Sequence, residues 1–472
     1  MSKAAPESEA NEILDFLWPY RERYETHRKL PSEGVSREQL LEEVTEMSER
    51  EDEPAREGKI SGSLYHGGAE HFAFLSEVYR RFAHVNVLQR DMYPSATKFE
   101  GEILSMALDL LGGDAASGEG DGPCGVMTIG GSESLVNTIL VYRERGRERG
   151  IEAPEIVIPV TAHVALEKGA HYLGVKTVHA PVTDDFRVDV GAAAELIGPN
   201  TVALLGTAGT YPHGVVDPIE ELSELALERD LGLHVDACLG GFILPWAERL
   251  GRGVPRWDFR VPGVTSISAD THKYGYAPKG TGVMLYRSTE LRHRQYFAYT
   301  EWPGGVYASP GIAGSRSGGL VAATWAAMVG LGERGYLELA EPICDTADRL
   351  RELIDSIPEL RRFGESPFMV AWGSDEIDVW HMNDALQDRG WRMNGCQHPA
   401  GVHFCVTRPN TAPGVIDAFA EALREAVDYA KDPPDSPPRS GALYGAGGGG
   451  GPAPGDLLVA YLDSTTATPP EV

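Results

Sequence analysis

Residues 265–282 read Thr-Ser-Ile-Ser-Ala-Asp-Thr-His-Lys-Tyr-Gly-Tyr-Ala-Pro-Lys-Gly-Thr-Gly. Residues 266–269 are typical of a short buried strand, and Lys273 follows in a polar turn. Open α/β sheets place their chemistry just beyond the carboxyl ends of the strands. An amine there, with its charge disfavoured by desolvation, is a candidate Schiff-base nucleophile for a carbonyl cofactor such as pyridoxal phosphate. A surface lysine after a strand would give the same local pattern, so the surrounding sequence has to decide.

Short β-branched runs alternate with helical patterns through the middle of the chain. The runs lie at residues 155–160, 176–180, 201–206, 233–236, 265–269 and 282–286, and the helical patterns at 164–173, 190–197 and 218–231. Strands that alternate with helices predict an α/β fold with a mostly parallel sheet covered on both faces. Asp189 and Asp217 precede two of these helices and are predicted to cap them.

The pattern changes after about residue 330. A long helix at 337–357, an antiparallel strand pair at 368–372 and 402–407 and a helix at 415–429 describe a smaller α+β domain. We predict four parts: an N-terminal helical arm and dimer-clasping segment (1–98), a large cofactor-binding domain (99–330), a small C-terminal α+β domain (331–432) and a Pro/Gly-rich tail (433–472). The arm contains an amphipathic helix candidate at 12–18 and a charged helix around 37–53.

The composition and charge of the 472 residues exclude several classes of function. Hydrophobic residues make up 42% and charged residues 24%, as in a soluble globular protein. The net charge of −28 argues against non-specific binding to nucleic acid or to an anionic membrane surface. The five cysteines have no CxxC spacing, which indicates a reducing compartment and no structural zinc. The N-terminus lacks a signal-peptide pattern, and no apolar run approaches the ~20 residues of a transmembrane helix. We therefore expect a cytoplasmic protein without a transmembrane segment.

A glycine-rich turn opens a predicted helix that runs to about residue 145. The turn contains Gly130, Gly131 and Ser132. Free backbone N–H groups and the helix dipole at such a terminus favour a bound phosphate. Similar turns cap many ordinary helices, so this signal is weak when it stands alone.

Asp236 and His163 also follow predicted strands. Asp236 stands where a carboxylate could hold a protonated pyridine nitrogen and so keep the ring an effective electron sink. His163 lies at a strand-to-helix junction, where an imidazole could stack on the ring of a cofactor. A turn aspartate and a helix-capping histidine would give the same two patterns.

Residues 299–319 form a long segment rich in Gly, Ser and Pro. Long ordered loops in compact domains are usually functional. Tyr307 and Ser315 are the candidate polar groups of this segment. The order of the features, from the glycine-rich turn through His163, Asp236 and Lys273 to this loop, is far less common than any one of them.

This arrangement resembles the sphingosine-1-phosphate lyase family, which is part of the group II decarboxylase branch of the fold-type I pyridoxal-phosphate enzymes. The resemblance covers most of the chain, from about residue 58 onward. Its most specific stretches are Gly58-Lys-Ile-Ser-Gly62, Pro212-His-Gly-Val-Val-Asp-Pro218, His234-Val-Asp-Ala-Cys-Leu-Gly-Gly-Phe242, the segment 264–280, Gly304-Gly-Val-Tyr-Ala-Ser-Pro310 and Ile312-Ala-Gly-Ser-Arg316.

The resemblance implies a fold-type I pyridoxal-phosphate enzyme that acts as a homodimer with shared active sites, in which Tyr65, Gln89 and Ser315 work at a site whose Lys273 belongs to the other chain. It implies that Lys273 binds the cofactor as a Schiff base, that Asp236 holds the pyridine nitrogen and that His163 stacks on the ring. The other implied positions are Gly130, Gly131, Ser132, His272 and, from the partner subunit, Ser315 for the cofactor; Tyr65, Asn86 and Lys279 for the phosphate and head group of the substrate; and Tyr307 for proton transfer.

One departure from the family concerns residues 86–91, which read Asn-Val-Leu-Gln-Arg-Asp where the family has Asn-Pro-Leu-His-Pro-Asp. The family's histidine contacts the substrate phosphate, and Gln89 stands in its place. Gln89 can donate a hydrogen bond but carries no charge. Arg90 replaces a proline, and it could supply the missing charge or recognise a carboxylate on a different substrate.

The implied reaction is a retro-aldol cleavage of a phosphorylated sphingoid base into a long-chain aldehyde and phosphoethanolamine. Tyr307 and Lys279 are the candidates for the base, and no metal is needed.

An L-amino-acid decarboxylase on the same scaffold is the alternative, and it needs a cation for the α-carboxylate. The candidate cations are Arg392, Arg408 and Arg90. A non-catalytic binding protein of the same fold is a third class, which the intact set of Lys273, Asp236 and His163 disfavours.

Overall fold

The computed structural model describes residues 18–117, 122–441 and 455–468. The amphipathic helix predicted at 12–18 lies outside these residues apart from Trp18. None of the helices formed by the described residues is long and apolar enough to cross a membrane.

A seven-stranded sheet forms the centre of the larger part of the chain, with strand order β1-β7-β6-β5-β4-β2-β3. Only β7 runs antiparallel to its neighbours, so the predicted mostly parallel sheet is confirmed. β1 is a strand that the sequence pattern did not predict. The strands are β1 Cys124–Thr128, β2 Glu155–Pro159, β3 Lys176–Ala180, β4 Thr201–Thr207, β5 Gly232–Asp236, β6 Ser266–Ala269 and β7 Gly282–Tyr286.

The sheet is buried on both faces, as its continuous apolar runs predict. Every residue of β4, β5 and β6 is buried. Neighbouring residues of β4 belong to different hydrophobic clusters, Leu204 to one and Leu205 to the other, because side chains alternate between the faces of a strand. The edge strand β3 is mostly exposed or half-buried.

Helices cover this sheet and build the arm and the small domain. The charged helix predicted around 37–53 is confirmed, with Ser36 as its N-cap. The helices before the small sheet are Arg37–Glu51, Glu53–Arg56, Ala69–Phe82, Pro94–Leu110, Gly131–Glu148, Ala165–Leu173, Val190–Glu195, Ile219–Glu228, Leu244–Arg249, Thr289–His293 and Gly318–Asp355. Those that follow are Val379–Asp388, Val415–Lys431 and, within the tail, Gly455–Thr465.

The two predicted caps have different outcomes. The Asp189 side chain accepts a hydrogen bond from Ala192 N and caps its helix as predicted. The prediction for Asp217 is wrong, because its buried carboxylate accepts instead from Val188 N at 2.8 Å and Thr207 N at 2.7 Å. Asp217 therefore fastens the end of β4 to the segment before residue 190 rather than starting a helix.

A four-stranded antiparallel sheet with order β10-β11-β13-β12 forms the small domain. The predicted pairing of two strands here is confirmed by β11 and β13. The helix Gly318–Asp355 leads into this domain and is kinked at Gly332, whose φ of 58° is in the left-handed region. The domain boundaries remain predictions. The strands are β10 Arg361–Arg362, β11 Met369–Gly373, β12 Asn394–Gln397 and β13 Ala400–Cys405, and a separate pair is β8 Phe297–Tyr299 with β9 Tyr307–Ser309.

Candidate active site

The carboxyl ends of the parallel strands bring the predicted residues to one cavity of about 250 Å³. Asp236 ends β5, Lys273 follows β6 and His163 follows β2. Tyr211, which follows β4, also lines this cavity. The cavity thus lies at the edge of the sheet where α/β proteins bind their ligands.

Lys273 is paired with a buried carboxylate that the sequence analysis missed. Its Nζ lies 3.1 Å from Asp270 Oδ2, three residues earlier in the same turn. Burial lowers the pKa of the Lys273 amine, but Asp270, with Cys238 and Asp236, raises it by more, so the net pKa is above the ordinary value. The pKa of Lys273 is therefore raised, whereas the sequence analysis expected desolvation to lower it, because that expectation took no account of Asp270.

Asp236 is buried with one of its oxygens already bonded. Cys238 N donates to Oδ1 at 3.0 Å, and Ser268 Oγ donates to the same atom at 3.3 Å. Among the described residues, no donor bonds to Oδ2. This arrangement fixes the carboxylate at the cavity wall and leaves an oxygen for a donor on a ligand.

His163 is held by the start of its own helix. Ala165 N donates to His163 Nδ1 at 3.1 Å, which fixes the ring orientation. Burial lowers the pKa of His163, so the imidazole is neutral at neutral pH. The ring also meets Tyr211 edge-on at 6.4 Å between centroids. A neutral ring at this wall is suited to stacking on a flat heterocycle.

The glycine-rich turn lies against the Lys273 turn. Gly130 precedes the helix Gly131–Glu148 with a φ of 121°, a conformation that favours glycine. A Cβ on Gly131 would come within 2.8 Å of Asp270 Oδ2, so a side chain is excluded there. Ser132 lies in the first turn of the helix, where the N–H groups are free to bind an anion.

His272 packs against the same turn. A Cβ on Gly130 would lie 2.9 Å from its Cε1, and its Nδ1 donates to Thr281 O at 2.5 Å. Burial lowers the pKa of His272. His272 therefore fixes the loop between β6 and β7, and among the described residues the lining of the cavity does not include it.

Lys279 and Tyr65 form a second polar pair in the cavity. Lys279 Nζ lies 4.8 Å from the centroid of the Tyr65 ring, within the range of a cation–π contact. Burial and the nearby Lys273 ammonium lower the pKa of Lys279 to about 8. Burial raises the pKa of Tyr65 well above its ordinary value, so its hydroxyl stays protonated. Lys279 is thus the amine of the cavity that can lose its proton near neutral pH.

The small domain closes the other side of the cavity with residues that the strand-end argument could not reveal. Arg392, Asn394 and His403 all line the cavity. His403 Nδ1 donates to Pro212 O at 3.1 Å, which ties this sheet to the turn that contains Tyr211. Arg392 has no salt-bridge partner among the described residues.

The remaining predicted residues form a separate group, which we call the Asn86 cluster: Asn86, Gln89, Arg90, Tyr307 and Ser315. Asn86 Nδ2 donates to Ser315 Oγ at 3.0 Å, and the backbones of Asn86 and Ser317 pair in an antiparallel bridge. None of the five residues of the cluster lines the cavity of Lys273 within the described part of the chain. Tyr65, in contrast, lines the cavity of its own chain.

Arg90 is occupied within the protein. Its Nη2 pairs with Glu100 Oε2, and Arg316 Nη1 pairs with the other oxygen of the same buried carboxylate at 2.5 Å. Arg90 Nη1 also donates to Thr97 Oγ1 at 3.3 Å. The guanidinium therefore joins residues 86–91 to the strand-like segment at Arg316, while Gln89 remains exposed.

Glu133 attaches the loop that follows Tyr307 to the glycine-rich turn. Its buried carboxylate accepts from Ile312 N at 2.9 Å through Oε1 and from Ile129 N at 2.7 Å through Oε2. The loop before Ser315 is thus fixed to the start of the helix Gly131–Glu148. Sequence reasoning missed Glu133 because an acidic residue in a first helical turn is common.

Comparison with known proteins agrees with this arrangement. Residues 24–359 match the family described as pyridoxal-dependent decarboxylase conserved domain. The chain is 43% identical over 443 residues to a sphingosine-1-phosphate lyase of Arabidopsis thaliana, covering 92% of this chain and 80% of the relative. The chain belongs to the sphingosine-1-phosphate lyase family. Sphingosine-1-phosphate lyase 1 of Mus musculus is 41% identical over 394 residues, which cover 83% of this chain and 68% of that protein.

Solved structures of this family and its neighbours confirm the fold-type I α/β class. The sphingosine-1-phosphate lyase of Burkholderia pseudomallei matches with a TM-score of 0.86 and 48% identity, over 88% of this chain and 95% of that chain. A glutamate decarboxylase of Lactobacillus brevis matches with a TM-score of 0.73 over 88% of this chain and 98% of that chain. At 20% identity this second likeness shows the fold alone.

The cofactor is pyridoxal phosphate, and the residues of the cavity fit it. Lys273 provides the amine, and Asp236 offers a carboxylate oxygen that no described residue bonds. The buried Thr207 Oγ1, at the cavity, also has no partner among the described residues. The glycine-rich turn leaves its N–H groups uncovered beside the Asp270–Lys273 pair. The unbonded Asp236 oxygen matches the ring nitrogen of the cofactor, and the N–H groups of the glycine-rich turn match its phosphate.

Proposed function

We propose that this chain cleaves a phosphorylated sphingoid base, such as sphingosine 1-phosphate, into a long-chain aldehyde and phosphoethanolamine. The observation that carries the proposal is the Lys279–Tyr65 pair beside Lys273 in one cavity. Its support from relatives is the likeness, over 92% and 88% of this chain, to two chains named sphingosine-1-phosphate lyase. Among the described lining residues, Lys273, Lys279 and Arg392 are three cations against one carboxylate, Asp236, in a chain of net charge −28. Such a cavity favours anionic ligands.

When bound, pyridoxal phosphate supplies an electron sink for the carbon–carbon bond that breaks. Lys273 would hold the cofactor through its amine. Asp236 would hold the ring nitrogen through the carboxylate oxygen that no described residue bonds, and His163 would pack on the ring. Lys279, neutral in part at pH 7 to 8, takes the proton from the hydroxyl next to the breaking bond and returns it to the carbon from which the aldehyde has left. The Tyr65 hydroxyl donates to the phosphate head.

We further propose that the active unit is a homodimer. Each chain carries Lys273, Tyr65 and Lys279 at its cavity, whereas the Asn86 cluster lies apart from that cavity. A partner subunit that presents its Asn86 cluster to this cavity would complete the set of predicted residues. In this arrangement each site takes the cofactor lysine from one chain and Tyr307 and Ser315 from the other.

Mixed dimers test the shared site. Lys273→Ala and Tyr307→Phe chains are each expected to be nearly inactive, whereas co-expression should restore about a quarter of the parent activity, since half of randomly paired dimers are mixed and each has one intact site. Aldehyde release from the purified mixture is the measurement. A mixture of Lys273→Ala and Asp236→Ala chains, both altered at the same half of the site, should show no recovery. Full activity of a monomeric preparation, or no recovery in mixed dimers isolated with two tags, contradicts the proposal.

An L-amino-acid decarboxylase is the second candidate, and the position of Arg392 favours it over the other two cations. Arg392 lines the cavity, Arg90 is paired with Glu100, and Arg408 packs against Gly68 outside the lining. A guanidinium at the cavity can bind a carboxylate or a phosphate bidentately. Arg392 therefore keeps this alternative open while the Lys279–Tyr65 pair favours the lyase.

Product analysis separates the two reactions. We expect the purified holoenzyme to release a long-chain aldehyde without CO2 from a phosphorylated sphingoid base, and neither product from common L-amino acids. Gas-phase detection of CO2 and trapping of the aldehyde with a hydrazine are the measurements. The Lys273→Ala protein serves as the blank. Release of CO2 without aldehyde would overturn the lyase proposal and assign Arg392 to the α-carboxylate.

We propose a cytoplasmic location. The five cysteines are all free thiols, which supports a reducing compartment. Fluorescence microscopy of a tagged chain, in cells of its source, is the direct measurement.

A further inference from the structure

A second cavity of about 340 Å³ lies next to the cofactor cavity, between the helices Glu53–Arg56 and Ala69–Phe82 of the arm and the loop at Ala277. It is lined by the end of the helix Glu53–Arg56, by the start of Ala69–Phe82 and by the loop at Ala277. We call it the arm cavity. Its apolar wall residues are Ala55, Leu64, Ala69, Phe72, Leu75 and Ala277.

The two cavities share three residues, which are Ser63, Tyr65 and Lys279. A tight turn positions Ser63 and Tyr65, because Gly62 and Ser63 both have φ near 60°, in the left-handed region, and Lys279 lies in the loop between β6 and β7. Such a conformation is uncommon for a residue other than glycine and marks a constrained turn. Tyr65 follows this turn and meets Lys279 at the border, with the cofactor cavity on one side and the arm cavity on the other.

The polar side chains at the arm cavity are largely occupied by the protein itself. His71 Nε2 donates to Tyr276 O, with 3.1 Å between the atoms, and His66 Nδ1 accepts from Gly68 N at 3.2 Å. Arg56 Nη2 donates to Glu49 O at 2.9 Å. The cavity therefore offers mainly apolar surface, and its occupant has to be apolar as well.

We propose that the arm cavity binds the alkyl chain of the substrate, with the phosphate at Tyr65, the amine at Lys273 and the hydroxyl that reacts at Lys279 on the border. This inference rests on the proposed lyase function and adds the site at which the alkyl chain of the substrate binds. A substrate with a charged head and an aliphatic tail matches a cationic cavity that continues into an apolar one. The border residues then lie at the junction of head and tail, which is where the bond breaks.

The arm cavity thereby sets the dependence of the reaction on chain length. Each methylene that moves from water into an apolar site is worth about a fourfold gain in kcat/KM. We expect kcat/KM of the parent enzyme to rise with chain length until the cavity is filled. Short-chain substrates leave the cavity partly empty and depend only on the head-group contacts.

Two alanine-to-tryptophan variants on one helix test the proposal. Ala69 and Ala73 are both exposed residues of the helix Ala69–Phe82, but only Ala69 lines the arm cavity. Ala69→Trp is expected to lower the ratio of kcat/KM for a long-chain over a short-chain phosphorylated sphingoid base by at least about tenfold, the loss of roughly two buried methylenes. Ala73→Trp should leave this ratio unchanged, and both variants should keep the bound cofactor absorbance.

Equilibrium binding gives a readout without turnover. A saturated long-chain alkyl phosphate is expected to bind the parent holoenzyme and the Ala73→Trp variant equally in calorimetry, and to bind Ala69→Trp at least about tenfold more weakly. An unchanged chain-length ratio in Ala69→Trp overturns the inference. An equal loss for both chain lengths also overturns it, since that result shows a general disturbance of the enzyme that does not depend on the alkyl chain. A parent enzyme that cleaves neither substrate overturns the proposed function itself, which keeps the two failures distinct.

Discussion

Replacing Lys273 with alanine is expected to abolish both the activity and the visible absorbance that pyridoxal phosphate gives when it is bound covalently to a lysine. Lys273 lies in the cavity with Asp236 and His163, and its ammonium is held 3.1 Å from Asp270. Removal of a covalent nucleophile lowers kcat on the order of 10⁶-fold. Absorbance spectra of the purified protein and an aldehyde assay are the measurements.

Two control variants make this result specific. Lys279→Met removes the other lysine of the cavity and should keep the cofactor absorbance. Lys176→Ala removes an exposed lysine on the edge strand and should change neither property. An unchanged spectrum of the Lys273→Ala protein contradicts the assignment of the cofactor to Lys273, and loss of absorbance in Lys279→Met transfers that assignment to Lys279.

The pH dependence of kcat/KM is expected to rise from pH 6 to a plateau above an apparent pKa of about 8. Burial and Lys273 lower the pKa of Lys279, and only its neutral amine can accept a proton. Below that pKa the neutral fraction increases about tenfold for each unit of pH, so the rate of proton abstraction rises with it. The profile of kcat/KM reports the free enzyme, whose amine has this lowered pKa.

Lys279→Arg tests the role of the neutral amine while it keeps the positive charge. We expect kcat/KM to fall by about 10²- to 10⁴-fold and the rising limb near pH 8 to disappear. Lys176→Arg, the same exchange at an exposed position, should keep the parent profile. A parent profile that instead falls as the pH passes 8 would mean that the protonated amine is required, and would assign Lys279 to phosphate binding.

Much of the large domain follows from sequence periodicity. The buried strands β4, β5 and β6 are short runs of apolar residues, and their ends agree with the predicted ranges within about two residues. β1 was missed because its five residues include Gly125 and follow a segment rich in glycine, so no alternation stands out. β12 was missed because Asn394–Gln397 is short and polar and becomes a strand only by pairing with β13.

The residues of the candidate site could be predicted only where their position directly after a buried strand places them at the cavity. Lys273, Asp236 and His163 follow buried strands, and parallel strands bring such positions to one edge. Tyr211 follows a strand too, but no motif distinguishes it from an ordinary turn tyrosine. Arg392 depends on the packing of a distant domain, which no local pattern contains.

Asp270 shows that sequence alone does not reveal side-chain contacts within a turn. It lies three residues from Lys273 within the stretch that the sequence analysis treated first. The sequence of a polar turn does not say which way its side chains point. The contact of 3.1 Å between Asp270 and Lys273, and the rise in the pKa of Lys273 that results, are therefore seen only in the folded turn. The same holds for the division between the cavity and the Asn86 cluster, because sequence order does not say which chain completes a site.

The pairing of Arg90 with Glu100 has an evolutionary consequence. Glu100 is a buried carboxylate held between Arg90 and Arg316, so losing Arg90 alone would leave a buried charge with half of its neutralisation. A variant with proline at position 90 would need a neutral residue at position 100, or a new cation beside it. The two positions, ten residues apart, are therefore expected to change together.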